Sequence, residues 1–223
     1  MKNTTVTLIR FGLLALIFLV FWWALSTSMS DVVNIIIIAG GVLLTYPLVW
    51  AGRKILDRHP EKGYAEWITT FVHVGLAFTF GVPLIRALIT YRQWSVWDVP
   101  IPRVIGLALV IITGTVLFIT VATLALRGFG APFFIALSRK LAVDWLYAWT
   151  RNPMVLAALA FFVSLGIWFQ SALFMFWVLF IFTPALLFFV KVYEEKELEL
   201  RFGPSYLEYK SRTPMLFPRK PKK

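Results

Sequence analysis

Apolar residues run through this chain in blocks of helical length, separated by short polar breaks. Six blocks stand out, at roughly 6–26, 32–51, 67–90, 103–126, 153–169 and 171–190. A helix rising 1.5 Å per residue needs about 20 predominantly apolar residues to cross a hydrocarbon layer of about 30 Å, and these blocks fit that length. The fifth is the shortest, and only Phe169-Gln170-Ser171 separates it from the sixth, which predicts a tight helical hairpin. The first block has no small-residue cleavage site leading into a soluble domain, so it reads as a retained span and not a signal peptide. No repeat of 20–50 residues is visible. The pattern predicts an all-α integral membrane protein of about six transmembrane helices, with a C-terminal helical hairpin and a cytoplasmic amphipathic tail. Its expected organisation is a four-helix N-terminal membrane region over 1–126, followed by an interfacial loop, the hairpin and the tail over 127–223.

Composition agrees with the pattern. The chain is 60% hydrophobic and 15% charged, more apolar surface than a soluble core of 223 residues requires. The net charge of +11 is held in loops between the blocks, where topology and anionic headgroups account for it better than nucleic acid does. No Lys or Arg lies between the first two blocks. The next connection carries Arg53, Lys54, Arg58 and Lys62, the connection between blocks four and five carries Arg127, Arg139, Lys140 and Arg151, and the tail is rich in both. Only Arg86, Arg92 and Arg103 fall on the other side. Positive-inside counting therefore places both termini in the cytoplasm, of a bacterial inner membrane or the endoplasmic reticulum. Cysteine is absent, which excludes disulfides, zinc–thiolate sites and a cysteine nucleophile within the chain. Of two histidines, His59 lies in a basic loop and His73 in the third span, where a hydrogen bond to a neighbouring helix is the expected role. No metal is expected.

Candidate chemistry gathers around the hairpin. Arg127-Gly128-Phe129-Gly130-Ala131-Pro132 reads as a helix stop at the interface. The segment Arg139–Tyr147 is amphipathic and suits the membrane surface. Arg151-Asn152-Pro153 then opens a helix: Asn152 is a good N-cap, and Pro153 suits the first helical position. A helix start offers free backbone N–H groups and a positive dipole end, and Arg151 stands beside this one. That combination suits a carboxylate or phosphate. Beyond the hairpin, Glu194 and Glu195 lie nearest the membrane mouth and suit a cationic ligand, whereas Glu197 and Glu199 read as a solvated face. Tyr206 and Tyr209 form one aromatic face, expected to pack the tail against the membrane region, and Pro214 and Pro218 end that helix.

In their order and spacing these pieces resemble the integral-membrane methyltransferases that include isoprenylcysteine carboxyl methyltransferase and the phospholipid N-methyltransferases. The resemblance spans about residues 127–218. It rests on Gly128, Gly130 and Pro132; Leu141 and Tyr147; Arg151-Asn152-Pro153-Met154; Glu194-Glu195 with Leu198; Phe202-Gly203, Tyr206 and Tyr209; and Pro214 and Pro218. It implies S-adenosylmethionine as cofactor, held by Arg139, Lys140, Leu141, Ala142, Tyr147, Asn152, Pro153, Met154, Val155 and Glu194, with Arg151 beside them. Lys191 or Glu195 would orient the acceptor, a lipid amine or a prenylated cysteine carboxylate. Trp145 stands where the family usually has glycine, and Val155 where it has tyrosine. The arginine that meets the substrate carboxylate in the isoprenylcysteine enzymes falls on Val190, with Lys191 adjacent. Two other classes stay open: a non-catalytic scaffold or lipid-binding protein of the same fold, and a related membrane reductase using a nicotinamide cofactor.

Overall fold

A computed structural model describes residues 3–90, 99–127 and 141–221. The sequence readings placed on Arg92, Gly128, Gly130, Pro132, Arg139 and Lys140 lie outside the described residues. Helix α1 covers Asn3–Ser26, α2 Asp31–Arg58, α3 Gly63–Thr90, α4 Arg103–Arg127, α5 Pro153–Phe169, α6 Ala172–Phe202 and α7 Pro204–Arg212. Among the described residues, four stretches are long and apolar enough to cross a membrane: Asp31–Arg58, Gly63–Thr90, Arg103–Leu126 and Ala172–Phe202. Phe11–Ser26 and Pro153–Phe169 are shorter apolar helices. No strand occurs among the described residues. Burial follows the logic of a bilayer solvent: Phe11, Phe18, Trp22, Val104, Ile111 and Phe118 face outward from α1 and α4. Lipid accepts such side chains, and the backbone polar groups behind them are satisfied within each helix.

Local chemistry sets the helix ends. Ser30 caps α2 by accepting a hydrogen bond from the Val33 N–H. The hairpin between α5 and α6 closes on Gln170, which takes left-handed φ at 58°, while Ser171 caps α6 by accepting from the Phe174 N–H at 3.3 Å. Gln170 Nε2 also donates to the Ile101 carbonyl at 2.8 Å, tying the hairpin tip to the start of α4. Alongside, α4 and α5 approach backbone to backbone. A Cβ on Gly106 would lie 2.5 Å from the Trp168 backbone nitrogen, so only glycine fits.

Among the described residues, wider π-helical turns occur at Ile36–Gly40 in α2, Ala77–Gly81 in α3, and Val178–Phe182 and Val190–Glu194 in α6. Such turns loosen the i→i+4 ladder, and side chains use carbonyls within them. The buried Trp177 indole donates to the Ile38 carbonyl at 2.9 Å, and Arg53 donates to the Val192 carbonyl at 2.9 Å. The main core, with Val42, Val49, Leu56, Val72, Trp177 and Phe182 among its members, lies among α2, α3, α5 and α6.

Two sequence expectations change here. Arg86 is 3% exposed and does not face headgroups: it donates to Asn34 Oδ1 and to the carbonyls of Ala24 and Thr27, locking α1, α2 and α3 together. His73 bonds within its own helix, its Nδ1 lying 2.7 Å from the Thr69 carbonyl, and meets the Phe189 ring of α6 edge-on.

Candidate functional site

The site begins with the register of α6. The turn over Val190–Glu194 is wider than an α-turn, so Val190 lies over both Glu194 and Glu195, and Leu198 and Phe202 follow on the same side. Tyr193 and Glu197 fall on the opposite face and are buried against α2 and α3, where the Tyr193 hydroxyl meets Thr69 Oγ1 at 3.0 Å. Lys191 is one residue past Val190, turns away and is exposed. The structure therefore does not bring Lys191 to the site, a correction that follows from helical spacing alone. Glu197 is a second correction. It is 3% exposed and paired to Arg201 at 2.7 Å, not solvated. Glu199 is half-buried and paired to Lys210 at 2.8 Å.

The loop before α5 supplies the facing wall. Residues 141–145 are irregular, so the described part of the amphipathic segment adds only one helical turn, Leu146–Trp149. Trp145 enters that turn at φ 54°, a conformation that favours glycine. Pro153 occupies the first turn of α5, as its sequence position predicts. Asn152 stands at the N-cap but makes no side-chain capping bond; its Nδ2 donates to the Met215 carbonyl at 2.9 Å. Asn152 is thus spent on the tail, and the first-turn N–H groups of α5 receive no cap from it.

The tail closes the site. The chain reverses at Gly203, φ 55°, and α7 returns along α6 with Tyr206 and Tyr209 buried. The Tyr209 hydroxyl donates to the Tyr147 carbonyl at 2.6 Å. Burial holds the Tyr206 and Tyr209 phenols above the ordinary tyrosine range, so Tyr209 keeps the proton it donates. Burial, helped by the charge of Glu194, does the same to Tyr147. The extended segment after α7 is pinned by three more bonds: Arg151 N to the Pro214 carbonyl, Thr150 Oγ1 to the Met215 carbonyl, and Arg219 N to the Trp149 carbonyl, at 2.9, 3.1 and 3.0 Å.

An ion-pair network ties these parts together. Arg151 donates to the Lys210 carbonyl at 2.8 Å and pairs with Glu195 Oε1, and Glu195 Oε2 accepts from Lys210 Nζ at 2.8 Å. Glu195 is 7% exposed and spends both carboxylate oxygens on these cations. These pairings make it the residue that holds the site in shape. Lys210 has no counterpart in the sequence reading. It meets Glu195 and Glu199 only because the chain doubles back at Gly203, and no local spacing announces that.

Leu141, Ala142, Tyr147, Arg151, Asn152, Met154 and Val155 line one small cavity together with Val190, Glu194 and Glu195 of α6 and Tyr206 and Tyr209 of α7. Of the described residues expected to hold the cofactor, Pro153 alone lines a second, apolar cavity instead. The first cavity measures about 110 Å³. Pockets for drug-sized ligands measure about 300–1,000 Å³, so the described walls surround only part of such a ligand. Two groups at this cavity are unspent. Arg151 Nε is buried without a hydrogen-bond partner, and Glu194 has no ion pair among the described residues. A donor without an acceptor and a carboxylate without a cation among the described residues together suit a zwitterion.

Against known families, residues 101–205 match the phospholipid methyltransferase family model, which agrees with the resemblance to membrane methyltransferases. The match covers α4, the hairpin, the network residues Arg151 and Glu195, and Glu194. No curated protein and no solved structure matches the chain.

Proposed function

We propose that this membrane protein, matched to the phospholipid methyltransferases across its site, transfers a methyl group from S-adenosylmethionine to a hydrophobic, membrane-borne acceptor. The acceptor class is a lipid amine or a prenylated cysteine carboxylate. The observation that carries the reading is that a buried Arg151 Nε without a hydrogen-bond partner and a Glu194 without an ion pair among the described residues line one cavity. Arg151 and the uncapped start of α5 would hold the cofactor carboxylate, and Glu194 its ammonium group. Leu141, Ala142, Met154 and Val155 would wall it from water, and Tyr147 and Tyr206 would offer aromatic faces near the sulfonium. The cofactor supplies an electrophilic methyl group when bound. The chain's own work is alignment and exclusion of water, and neither needs a metal or a cysteine. Glu195 acts as a positioning residue, holding Arg151 in place. The basic loops support a cytoplasmic location for the cofactor side and both termini.

Calorimetric titration of the detergent-purified chain with S-adenosylhomocysteine tests this directly. Binding in the micromolar range, weakened by about 1–3 kcal/mol in Glu194→Ala, is the expected result. Folded protein that takes up NADPH and not S-adenosylhomocysteine would overturn the reading.

A further inference from the structure

Back to back with the polar cavity, across the first turn of α5, lies a second cavity of about 370 Å³ that shares no lining residue with the first. Val116 of α4, Leu156, Ala157 and Ala160 of α5, and Trp149 and Pro218 at one end form most of its wall. Among the described residues no charged side chain lines it. Its three threonines have committed their hydroxyl hydrogens elsewhere: Thr113 to the Leu109 carbonyl, Thr120 to the Leu117 carbonyl and Thr150 to the Met215 carbonyl, at 2.6, 2.7 and 3.1 Å. A space of this size, its threonine hydroxyls committed and the Trp149 indole N–H the one polar side-chain group left among its described lining, suits hydrocarbon and not a cofactor or a hydrated ion. Val116 and Ala160 are exposed at the outer surface of the α4–α5 pair, so the cavity opens toward the bilayer.

The rim has a different chemistry. Trp149 is about half exposed, as expected of an aromatic residue at headgroup depth. The Arg219 N–H is bonded to the Trp149 carbonyl, and Pro218 lines the cavity mouth, so Arg219 and Lys220 are anchored beside the opening with exposed side chains. From Tyr209 to Lys223 the sequence contains no acidic residue to answer them. An apolar slot open to lipid and a cationic rim at headgroup level are complementary to one kind of molecule.

We propose that the cavity between α4 and α5 holds one acyl chain of an anionic phospholipid, whose phosphate lies against Arg219 and Lys220. The site is separate from the cofactor cavity and does not rest on the methyl-transfer reading. The bound lipid would tie the tail segment after α7 to the membrane next to the loop that carries Arg151.

Native mass spectrometry of the full chain tests this, after exchange into detergent with equal amounts of phosphatidylglycerol, phosphatidylcholine and phosphatidylethanolamine. The expected result is one retained phosphatidylglycerol, preferred over phosphatidylcholine by about tenfold for the two rim cations. Ala160→Trp fills the slot from its lipid-facing wall and should abolish retention of every lipid. Val116→Trp does the same from α4 and serves where the first variant fails to fold. Arg219→Gln with Lys220→Gln should keep one bound lipid and erase the headgroup preference. Unchanged phosphatidylglycerol retention in a folded slot-filling variant would overturn the proposal, as would equal retention of all three lipids by the parent chain. Preferential retention of phosphatidylethanolamine would also overturn it, by making the slot a place for the amine acceptor.

Discussion

At the scale of single residues, two positions share one unusual backbone conformation and answer it differently. Gly203 has φ 55° and ψ −131°, and Trp145 has φ 54° and ψ −119°. L-residues pay about 1–3 kcal/mol to sit in such regions, and glycine does not. At Gly203 a Cβ would meet nothing within 4 Å, so any loss in Gly203→Ala comes from the backbone alone. Gly203→Ala should cost about 1–2 kcal/mol, read as a lower thermal unfolding midpoint in detergent. Trp145→Gly should move the other way, by about 1 kcal/mol after the added freedom of the unfolded chain is subtracted. A fall in the midpoint of Trp145→Gly would mean that the half-exposed indole contributes more than its backbone strain removes. Composition does not announce the strain at Trp145. It becomes readable once the glycine that the methyltransferase resemblance expects at that place is set beside the φ value.

At the scale of elements, the places of the apolar helices and the tight hairpin were legible because hydropathy reports them directly, but their lengths were not. Among the described residues four of the six expected spans are long and apolar enough to cross a membrane, and α6 runs past its apolar block to Phe202. The wide turns were not, since no residue pattern marks them; they depend on side chains arriving from other helices. Arg53 shows this well. Held by Asp57 on its own helix at 2.9 Å, it donates to the Val192 carbonyl inside the turn that aligns Val190 with Glu194 and Glu195. On the proposed methyl-transfer reading, Arg53→Ala should therefore weaken S-adenosylhomocysteine binding several-fold without touching the cavity. In a double-mutant cycle with Glu194→Ala the two losses should not add, because both act through one carboxylate. Additive losses in calorimetric titrations would show that Arg53 acts on something else. The burial of Glu197 escaped the sequence for a related reason. Its spacing to Arg201 is visible, but a helix that carries polar residues on two faces reads as solvated until its neighbours are placed. Gly106 behaves more simply: Gly106→Val drives a side chain into the Trp168 backbone and should lower stability by about 2–3 kcal/mol, seen as loss of folded protein on size exclusion.

At the scale of the whole molecule, α6 is gripped from two sides. The N-terminal helices hold one face through Arg53 and the Thr69–Tyr193 bond, and the returning tail holds the other through Glu195, Glu199 and Lys210. The first grip is legible only in outline, as apolar spans without motifs. The second was half legible: Glu194, Glu195, Tyr206 and Tyr209 stand out in the sequence, while Lys210 becomes a partner only after the reversal at Gly203. Burial opposes the Lys210 ammonium, but Glu195 and Glu199 outweigh it and hold the group above the ordinary lysine value of 10.5. A cation whose pKa is raised on folding contributes its full stabilisation below the unfolded value, and loses it as pH climbs through the higher folded one. Lys210→Met should thus lower the unfolding midpoint of the chain at pH 7, and the gap to the parent should stay constant up to about pH 10. Above that range the parent loses its own ammonium and the gap should close. Thermal unfolding of both proteins from pH 7 to 11.5 reads this out. A gap that closes already between pH 7 and 9 would assign the tail's grip to some group other than Lys210, whereas a gap absent at pH 7 would leave the aromatic face of α7 as what holds the tail in place.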